Sequence, residues 1–531
     1  MCKTFTLYDL LLRGALISPD RPAVIHGDRE ISYRQLLPLV ESVARWLENS
    51  QAACGDRIAL LYENSVEYVL FYFAAAKAGL VVVPLDNSLK ADQLGKLIAD
   101  SGVTILLCQS KYLRGIDDLT GSEHDLKCLI TDKEFEFNEE GLSVYTISDC
   151  LAGASEIDFE TVVDDTPPEL LANPLTHETR LELSQETAAI FYTSGSTGDS
   201  KGVMLSHRNL VSNSIATAEY LRLTTADSIM TILPFYYIYG NSLLLTHMLV
   251  GGAVILDNRF AFQQAILNTM RDKRATGFSG VPSNFMILLN LADFKSENFP
   301  YLRYLTQAGG SMAPEVTRKV MAAFPDKELF IMYGQTEASP RVTWLPPEKL
   351  KAKLGSIGIE VPGVKIRLVD ENHLEVDQGK VGEIVVSGDN VMKGYWKGDG
   401  QDDILKDGQL FTGDLARRDE DGYYFVVGRK KDIVKVGGFR VSPKEIEELL
   451  LENDMISEVA VIGVPHEILG EALKAIVVLN PGVNTTEKEI LDFCRPRLAM
   501  RKVPSFIYFV ESLPKLQSGK IDKGHLRAEH G

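Results

Sequence analysis

The stretch from Ile190 to Gly202 combines residue types that suit the binding of a highly charged anion. An apolar, strand-like entry leads into a loop that contains three glycines, several serine and threonine hydroxyls and Lys201. Glycines let backbone N–H groups approach an anion closely, the hydroxyls add donors, and the lysine supplies positive charge. The composition therefore predicts a cradle for a polyphosphate. A flexible linker is the structural alternative, but such linkers seldom combine these hydroxyls with a lysine.

The spacing around Lys201 differs from that of a P-loop. The P-loop pattern requires glycine before the lysine and serine or threonine after it. Here Ser200 precedes the lysine and Gly202 follows it. Transfer of the γ-phosphate, as in kinases and GTPases, is therefore disfavoured.

The loop from Tyr192 to Gly202 resembles the signature of the adenylate-forming superfamily. This superfamily includes acyl-CoA synthetases, aryl-CoA ligases, firefly-type luciferases and the adenylation domains of nonribosomal peptide synthetases. Further matches follow in the family's order along nearly the whole chain, and seven or more short motifs in sequence make coincidence negligible. They are Ile31-Ser-Tyr-Arg34, Ala78-Gly-Leu-Val-Val-Val-Pro-Leu-Asp86, Pro234-Phe-Tyr-Tyr-Ile-Tyr-Gly240, Ala308-Gly-Gly310, Tyr333-Gly-Gln-Thr-Glu337, Thr412-Gly-Asp414, Gly428-Arg-Lys-Lys-Asp432, Gly437-Gly-Phe-Arg440 and Pro514-Lys-Leu-Gln-Ser-Gly-Lys520.

The resemblance implies an AMP-forming ligase that works in two steps. A substrate carboxylate attacks the α-phosphate of ATP and expels pyrophosphate, and the acyl-adenylate then passes its acyl group to a thiol. The first step crowds negative oxygens around one phosphorus, so the protein must neutralise charge and hold the reactants in line. No general base is required.

The same resemblance assigns residues to the phosphates of ATP. Thr336 would contact the α-phosphate, and Glu337 would coordinate Mg²⁺, a hard cation that prefers carboxylate and phosphate oxygens. The residues that would hold the β- and γ-phosphates are Thr193, Ser194, Ser196, Thr197 and Lys201.

The nucleoside would be held by a second group of residues. By resemblance, Asp414 accepts both ribose hydroxyls through its two oxygens, and Arg429 assists it. Gly309, Gly310 and Tyr333 form the adenine pocket, where the backbone approaches one face of the base and the aromatic ring stacks on the other. Taken alone, each of these glycines would be read as a turn.

The end of the chain supplies the catalytic cation and a hinge. Lys520 resembles the family's adenylation lysine, whose ammonium bridges the substrate carboxylate and the α-phosphate. Lys431 matches the hinge about which the C-terminal domain rotates between the two steps. Gly437, Gly438 and Arg440 would then line the tunnel for the thiol, although Arg440 is equally compatible with a surface charge.

The acyl pocket is predicted around Tyr237, Tyr239 and Gly309. Adenylation domains for amino acids carry an Asp in this region to pair with the α-ammonium, but no acidic residue lies between Pro234 and Leu256. An ordinary α-amino acid is therefore disfavoured, because an unpaired ammonium is costly to bury. Tyr237 stands where aryl-CoA ligases commonly carry His. The rings of residues 235, 236, 237 and 239 suggest an apolar or aromatic acid, although some of them are expected to pack the core.

The acceptor thiol and the class of function leave alternatives open. Coenzyme A is favoured over the phosphopantetheine of a carrier protein, because an acidic carrier needs a basic docking face and this chain has a net charge of -18. The alternatives are a stand-alone enzyme that loads an amino, imino or acyl group onto a carrier protein, and a luciferase-like oxygenase. A binding protein without activity would be expected to have lost its charged groups, yet Lys201, Glu337, Asp414 and Lys520 are all present.

Composition limits the remaining possibilities. A chain of 531 residues is too long for one core, and the acidic balance disfavours a partner such as duplex nucleic acid. The 6 cysteines are scattered without zinc-ligand spacing, which is typical of reduced thiols. No secretion signal is evident, and the apolar stretch from Leu243 to Leu256 is too short for a membrane span. We therefore expect a cytoplasmic protein.

Alternating helix and strand patterns must position these residues. Residues 32–47 have helical periodicity, and a strand at 57–62, a helix at 66–78 and a strand at 80–84 make a βαβ unit. Short strands punctuated by Gly and Asp begin at Gly382. A helix from Pro443 and a strand at 459–464 follow.

The predicted fold is thus α/β. It comprises a large N-terminal domain, residues 1–428, of layered βαβ subdomains plus a β-rich subdomain. A small mobile α+β C-terminal domain, residues 429–531, follows the hinge near Lys431.

Overall fold

The computed structural model describes residues 4–50, 52–115, 124–135, 141–164, 166, 170, 175–179, 181–194, 200–398, 404–515 and 521–531. Within them lie the strands β1 Pro22–His26, β2 Arg29–Ser32, β3 Arg57–Leu61, β4 Val81–Pro84, β5 Val103–Cys108, β6 Cys128–Thr131, β7 Ser143–Thr146, β8 Thr187–Ser194, β9 Ser200–Ser206, β10 Ser228–Thr231, β11 Ala253–Leu256, β12 Gly277–Gly280, β13 Tyr304–Gln307, β14 Glu328–Gly334, β15 Arg341–Leu345, β16 Ile359–Glu360, β17 Lys365–Val369, β18 Val381–Ser387, β19 Gly394–Tyr395, β20 Leu405–Lys406, β21 Gln409–Arg418, β22 Tyr424–Arg429, β23 Val434–Val436, β24 Phe439–Val441, β25 Ile456–His466, β26 Gly470–Leu479 and β27 Phe506–Phe509.

Helices cover and separate the sheets. The α-helices are α1 Leu7–Ile17, α2 Tyr33–Asn49, α3 Val66–Lys77, α4 Ala91–Ser101, α5 Ile147–Cys150, α6 Phe159–Asp164, α7 His207–Tyr220, α8 Ile238–Val250, α9 Gln263–Asp272, α10 Pro282–Leu289, α11 Pro314–Ala323, α12 Pro443–Leu450, α13 Glu487–Cys494 and α14 Lys523–His530. Short 3₁₀ turns include Thr336–Ala338 and Lys430–Asp432. No helix in the described part of the chain is long and apolar enough to cross a membrane.

Local sequence explains where the first elements begin and end. The Ser32 hydroxyl accepts from the backbone N–H of Gln35, and the Gln35 side chain accepts from the Ser32 N–H, so a capping box starts α2. Helix α3 is apolar around its whole circumference, and most of it is buried. It is followed by Gly79 at φ +71°, and β3 and β4 then pair in parallel. The predicted βαβ unit is confirmed.

Two large sheets build the N-terminal part. One has the order β19-β9-β8-β4-β3-β5-β6-β7 and is parallel except where β9 pairs with β8 and β19. The other has the order β16-β15-β14-β13-β12-β10-β11-β1-β2 and is parallel from β14 to β1. The largest core cluster joins helices α1, α2, α3, α7 and α8 to strands of both sheets. The layered α/β fold is confirmed.

Two smaller sheets follow. The first has the order β17-β18-β21-β20, with β22 paired to β21, and it matches the predicted β-rich segment. The second has the order β24-β23-β26-β25, with β27 parallel to β26. Ile446 of α12 and Ile490 of α13 pack in one apolar cluster of this sheet, and Leu526 of α14 packs in another. This is the small α+β module expected from the sequence.

Candidate active site

Three neighbouring parallel strands end where the predicted nucleotide site should lie. Strand β13 is paired in parallel with β12 on one side and β14 on the other. Loops that leave the carboxyl ends of parallel strands meet at one edge of a sheet, which is where ligands of α/β proteins usually bind. These loops carry Val281 after β12, Gly309 after β13 and Thr336 after β14.

Gly309 lies at the narrowest point of this edge. Its φ is +82°, and a Cβ added there would be 3.0 Å from Val281 Cγ1, 3.6 Å from Tyr237 Oη and 3.8 Å from Tyr239 Cδ1. Both the left-handed backbone and the lack of space therefore favour glycine. The structure brings together the three residues predicted for the acyl pocket.

Two of the four aromatic residues in this segment are engaged elsewhere. Phe235 is fully buried, and its ring centroid is 5.4 Å from that of Tyr68. Burial and the neighbouring Asp86 carboxylate raise the pKa of Tyr236. Tyr237 and Tyr239 both approach Gly309, which agrees with the expectation that some of the four rings pack the core.

Gln307 is a site residue that the motif comparison missed. Its side chain is 1% exposed, and its Nε2 donates to the carbonyl oxygen of Gly310 at 2.9 Å. Its Oε1 is buried and has no partner among the described residues. A buried amide oxygen without a donor is costly, so it fits the amino group of a bound base beside the Gly309-Gly310 backbone. In the sequence, only its position as the last residue of β13 indicates that Gln307 could belong to the site.

The predicted ribose residue is held on both of its oxygens. The Tyr333 hydroxyl donates to Asp414 Oδ2 at 2.7 Å, and Arg429 Nε donates to Oδ1 at 3.0 Å. Asp414 is 4% exposed and lies on β21 directly opposite Arg429 on β22. Burial and the Asp414 charge raise the pKa of Tyr333, while the Asp414 charge raises the pKa of Arg429. Three residues predicted from separate motifs are thus in direct contact.

Tyr395 connects the predicted phosphate lysine to the predicted metal ligand. Its hydroxyl donates to Glu337 Oε1 at 2.8 Å, and Lys201 Nζ lies 4.7 Å from the centroid of its ring. The contact arises because β19 pairs with β9, which places Tyr395 opposite Val203. No sequence motif identified Tyr395, since its partners are remote along the chain.

The phosphate loop itself connects β8 to β9. Thr193 pairs with Lys201 across this hairpin, and the Thr193 hydroxyl donates to the Lys201 carbonyl oxygen at 3.5 Å. Lys201 and Tyr395 line an open crevice of about 330 Å³. Backbone pairing places Ser194 at the end of β8, whereas Ser196 and Thr197 lie outside the described residues. Thr336 is buried and begins the 3₁₀ turn that also holds Glu337.

The predicted hinge is a basic turn tied to both sides of the domain boundary. Lys430 Nζ lies 3.0 Å from Glu383 of the β-rich sheet, and Arg527 of α14 lies 2.7 Å from Asp432. Burial and the nearby Arg429 charge lower the pKa of Lys431. Lys520 lies outside the described residues, so its catalytic role stays a prediction.

Gly437 and Gly438 form the turn between β23 and β24. Their φ angles are +55° and +83°, and Val436 pairs with Phe439 across them. Two successive positive φ values are typical of a tight hairpin turn that glycine favours. No atom of the described residues lies within 4 Å of a Cβ added at Gly438, so in this conformation backbone geometry accounts for the glycine. Arg440 is exposed and pairs with Glu371 at 2.5 Å. The thiol-tunnel role of these residues stays a prediction.

Comparisons with known proteins show the family to which the chain belongs. Residues 13–396 match the AMP-binding enzyme family, and residues 445–520 match the C-terminal domain of AMP-binding enzymes. The chain is 33% identical to a long-chain-fatty-acid–CoA ligase of Yersinia pestis, over 99% of this chain and 94% of the relative. It is 32% identical to a feruloyl-CoA synthase of Amycolatopsis sp., over 98% of each chain. The ATP-bound structure of MatB from Rhodopseudomonas palustris superposes with a TM-score of 0.84 at 31% identity and covers 99% of both chains.

The Tyr395 hydroxyl provides a test of the Glu337 site. Tyr395→Phe leaves the ring over Lys201 but removes the hydrogen bond that orients the carboxylate. We expect the Mg²⁺ concentration required for ATP binding to rise about tenfold, since the loss of a partner that orients a metal ligand typically weakens the metal ~10–100-fold. Calorimetric titration of ATP at several Mg²⁺ concentrations measures this. Tyr301→Phe, a change at an exposed ring, is the control; an equal effect in both variants would contradict the assignment.

Proposed function

The chain belongs to the AMP-binding enzyme family and is an AMP-forming acid–CoA ligase, and from this premise we propose which residues perform each step. The first step joins an oxygen of the acid to the α-phosphorus of ATP and breaks the bond to pyrophosphate. The second forms a bond between the sulfur of coenzyme A and the acyl carbon, and AMP leaves with the former carboxylate oxygen. The thiol proton is released to solvent.

The observation that carries the assignment is the contact of Tyr395 with both Lys201 and Glu337. Lys201 lies over the ring, and Glu337 accepts from the hydroxyl of the same residue. The Tyr395 side chain thus contacts both a cation that can bind phosphate oxygens and a carboxylate that can bind a hard metal ion. A carboxylate and a lysine that both contact one tyrosine suit a metal–polyphosphate complex, because the carboxylate can bind the metal while the lysine binds phosphate oxygens.

The nucleoside is positioned by Asp414 and by the backbone after β13. We assign the ribose hydroxyls to Asp414, whose orientation Tyr333 and Arg429 fix before any ligand binds. The side chain of Gln307 and the backbone of Gly310, to whose carbonyl oxygen it donates, would contact the adenine. Prior ordering lowers the entropy lost on binding.

Charge that develops at the α-phosphate is stabilised by Thr336 and Lys520. Thr336 is buried in the turn that follows β14, and the family resemblance implies that the C-terminal domain would supply Lys520. A preoriented donor or cation at this point acts most strongly in a water-poor site. Mg²⁺, held by Glu337 and phosphate oxygens, would supply further neutralisation of charge.

The second step requires the C-terminal domain to turn about Lys431. Among the described residues, its contacts with the remainder of the chain include the ion pairs of Lys430 with Glu383 and of Arg440 with Glu371, a hydrogen bond from Lys444 Nζ to the Val426 carbonyl oxygen, and the packing of Leu451 beside an apolar cluster of the nine-stranded sheet. The Arg440 pair is exposed on both sides, and because such pairs contribute little stability each, it would not oppose reorientation. Rotation would bring the Gly437-Gly438 turn and Arg440 to the acyl-adenylate, where the pantetheine arm of coenzyme A arrives. A carrier-protein phosphopantetheine presents the same thiol and is the competing acceptor.

Nucleotide products test the proposal directly. We expect ATP to be cleaved to AMP and pyrophosphate in the presence of the correct acid, with acyl-CoA formed only when coenzyme A is added. Coupled pyrophosphate release and mass spectrometry over a panel of carboxylic acids measure both. Formation of ADP, or no acid-dependent release at all, contradicts the proposed reaction. Acid-dependent release without acyl-CoA favours a carrier protein.

Lys520 can be assigned by separating the two steps. In Lys520→Ala, adenylation should fall ~10²–10³-fold, which is typical of losing one stabilising contact to transition-state charge. Conversion of supplied acyl-adenylate to acyl-CoA should change little. Lys488→Ala, an exposed lysine of the same domain, is the matched control. Equal loss of both steps in Lys520→Ala would refute the role.

A further inference from the structure

Arg341 is a deeply buried cation at the start of β15. The residue is 2% exposed. Its backbone is fixed, because its N–H donates to Asn213 Oδ1 at 3.1 Å, while its carbonyl oxygen accepts from the side-chain amides of Asn213 at 2.8 Å and of Asn390 at 3.2 Å. These three hydrogen bonds therefore fix the backbone of Arg341 at the start of β15 in the nine-stranded sheet.

The guanidinium has only neutral neighbours in the described structure. Its Nη2 donates to Ser242 Oγ at 3.1 Å, and its Cζ lies 4.2 Å from the centroid of the Tyr239 ring. It also lies near the Tyr220 hydroxyl, whose pKa it lowers against the larger raising effect of burial. The buried Nε has no hydrogen-bond partner among the described residues, and the contacts of the guanidinium described there, to Ser242, Tyr239 and Tyr220, include no carboxylate.

Arg303, which directly precedes β13 of the same sheet, shows how carboxylates can neutralise a guanidinium. Its Nη2 lies 2.9 Å from Asp227, and its Nη1 lies 3.3 Å from Glu328. Arg303 is nevertheless about one-third exposed. Arg341 is less exposed and has no carboxylate partner within the part of the chain that the structure describes. Burying an unpaired cation is strongly unfavourable, so its anion is expected to come from a ligand.

The arginine borders the acyl pocket through Tyr239. One face of that ring carries the guanidinium, and its edge approaches Gly309. Its hydroxyl bonds to Thr306 at the end of β13. Ser242 lies one turn further along α8, on the same side as Tyr239. Arg341 thus lies against the Tyr239 ring that borders the predicted acyl pocket.

We propose that Arg341 determines substrate specificity by binding a second carboxylate at the far end of the acid. The substrate class is then a dicarboxylic acid, activated at one end and anchored at the other. This inference rests on the proposed ligase function. The planar guanidinium matches a carboxylate through two parallel hydrogen bonds, and the free Nε supplies one of them. The Ser242 hydroxyl orients the other side of the fork.

The test compares acids that differ only at the far end. Each diacid is assayed by pyrophosphate release beside its half-amide and the monoacid that lacks the group, across straight-chain and aromatic spacers. In the wild-type enzyme we expect kcat/KM for one diacid to exceed that for its half-amide about 100-fold, the scale of a buried charge pair.

Variants then assign the preference to Arg341. Arg341→Met should lower kcat/KM for the diacid about 100-fold and that for the matched monoacid by less than about threefold, so that the preference disappears. Arg341→Lys should restore part of the preference because charge returns without the fork. Ser242→Ala should weaken the preference about tenfold or less, the scale of one hydrogen bond to a charged group. Arg318→Met, at an exposed arginine of α11, is the control and should change neither substrate.

The possible outcomes separate this inference from the ligase function. If monoacids and half-amides are activated as well as diacids, the ligase function stands and the role of Arg341 is refuted. An equal loss for both substrates in Arg341→Met, in protein that circular dichroism shows to be folded, also refutes it, because a structural role would act uniformly. If that variant does not fold, the wild-type comparison and Ser242→Ala decide. If no acid elicits pyrophosphate release, both proposals fail.

Discussion

One carboxylate, that of Asp414, connects the parts of the molecule that must act together. Its two oxygens are held by Tyr333 of the nine-stranded sheet and by Arg429 at the end of the β-rich sheet. A buried carboxylate needs such partners, since desolvation without them is costly. Because Arg429 is followed directly by the predicted hinge turn, Asp414, the residue proposed to hold the ribose, contacts a neighbour of that turn. In this proposal, nucleotide binding and domain orientation share one group of side chains.

The overall charge of the protein gives little guidance to the chemistry of its site. The chain carries a net charge of -18, yet Lys201, Arg429 and Lys431 lie near the proposed path of the nucleotide. Each cation is set in a different environment: Lys201 faces an aromatic ring, Arg429 is paired with Asp414, and the pKa of Lys431 is lowered by burial and by Arg429. Local burial decides how strongly a charge acts, because interactions between exposed charges are screened by water and salt.

The sequence was sufficient for the fold and for the contiguous motifs, because these depend on local patterns. The helix that starts after Ser32 and the βαβ unit follow from periodicity and capping. The association of Asp414 with Arg429 was expected from the family resemblance. Tyr395, Gln307 and Arg341 could not be assigned in this way. Their importance arises from pairing between strands that are distant along the chain, and each appears as an ordinary residue when read alone. The positive φ angles of Gly437 and Gly438 likewise give a reason for glycine that the motif did not supply.

An uncompensated guanidinium beside an acyl pocket has a consequence for selectivity. Among the described residues the buried guanidinium has only neutral partners, so leaving it unpaired is less favourable than lining the site with apolar residues. A ligand that brings a carboxylate removes this penalty, whereas an apolar acid of similar size leaves it in place or adds to it. Discrimination therefore arises as much from the unfavourable complex with the wrong acid as from the favourable one with the right acid. Sites with buried polar groups that only the correct substrate satisfies reject close analogues far better than apolar pockets do. The aromatic wall at Tyr239 contributes by excluding water, which strengthens the interaction between the two charges.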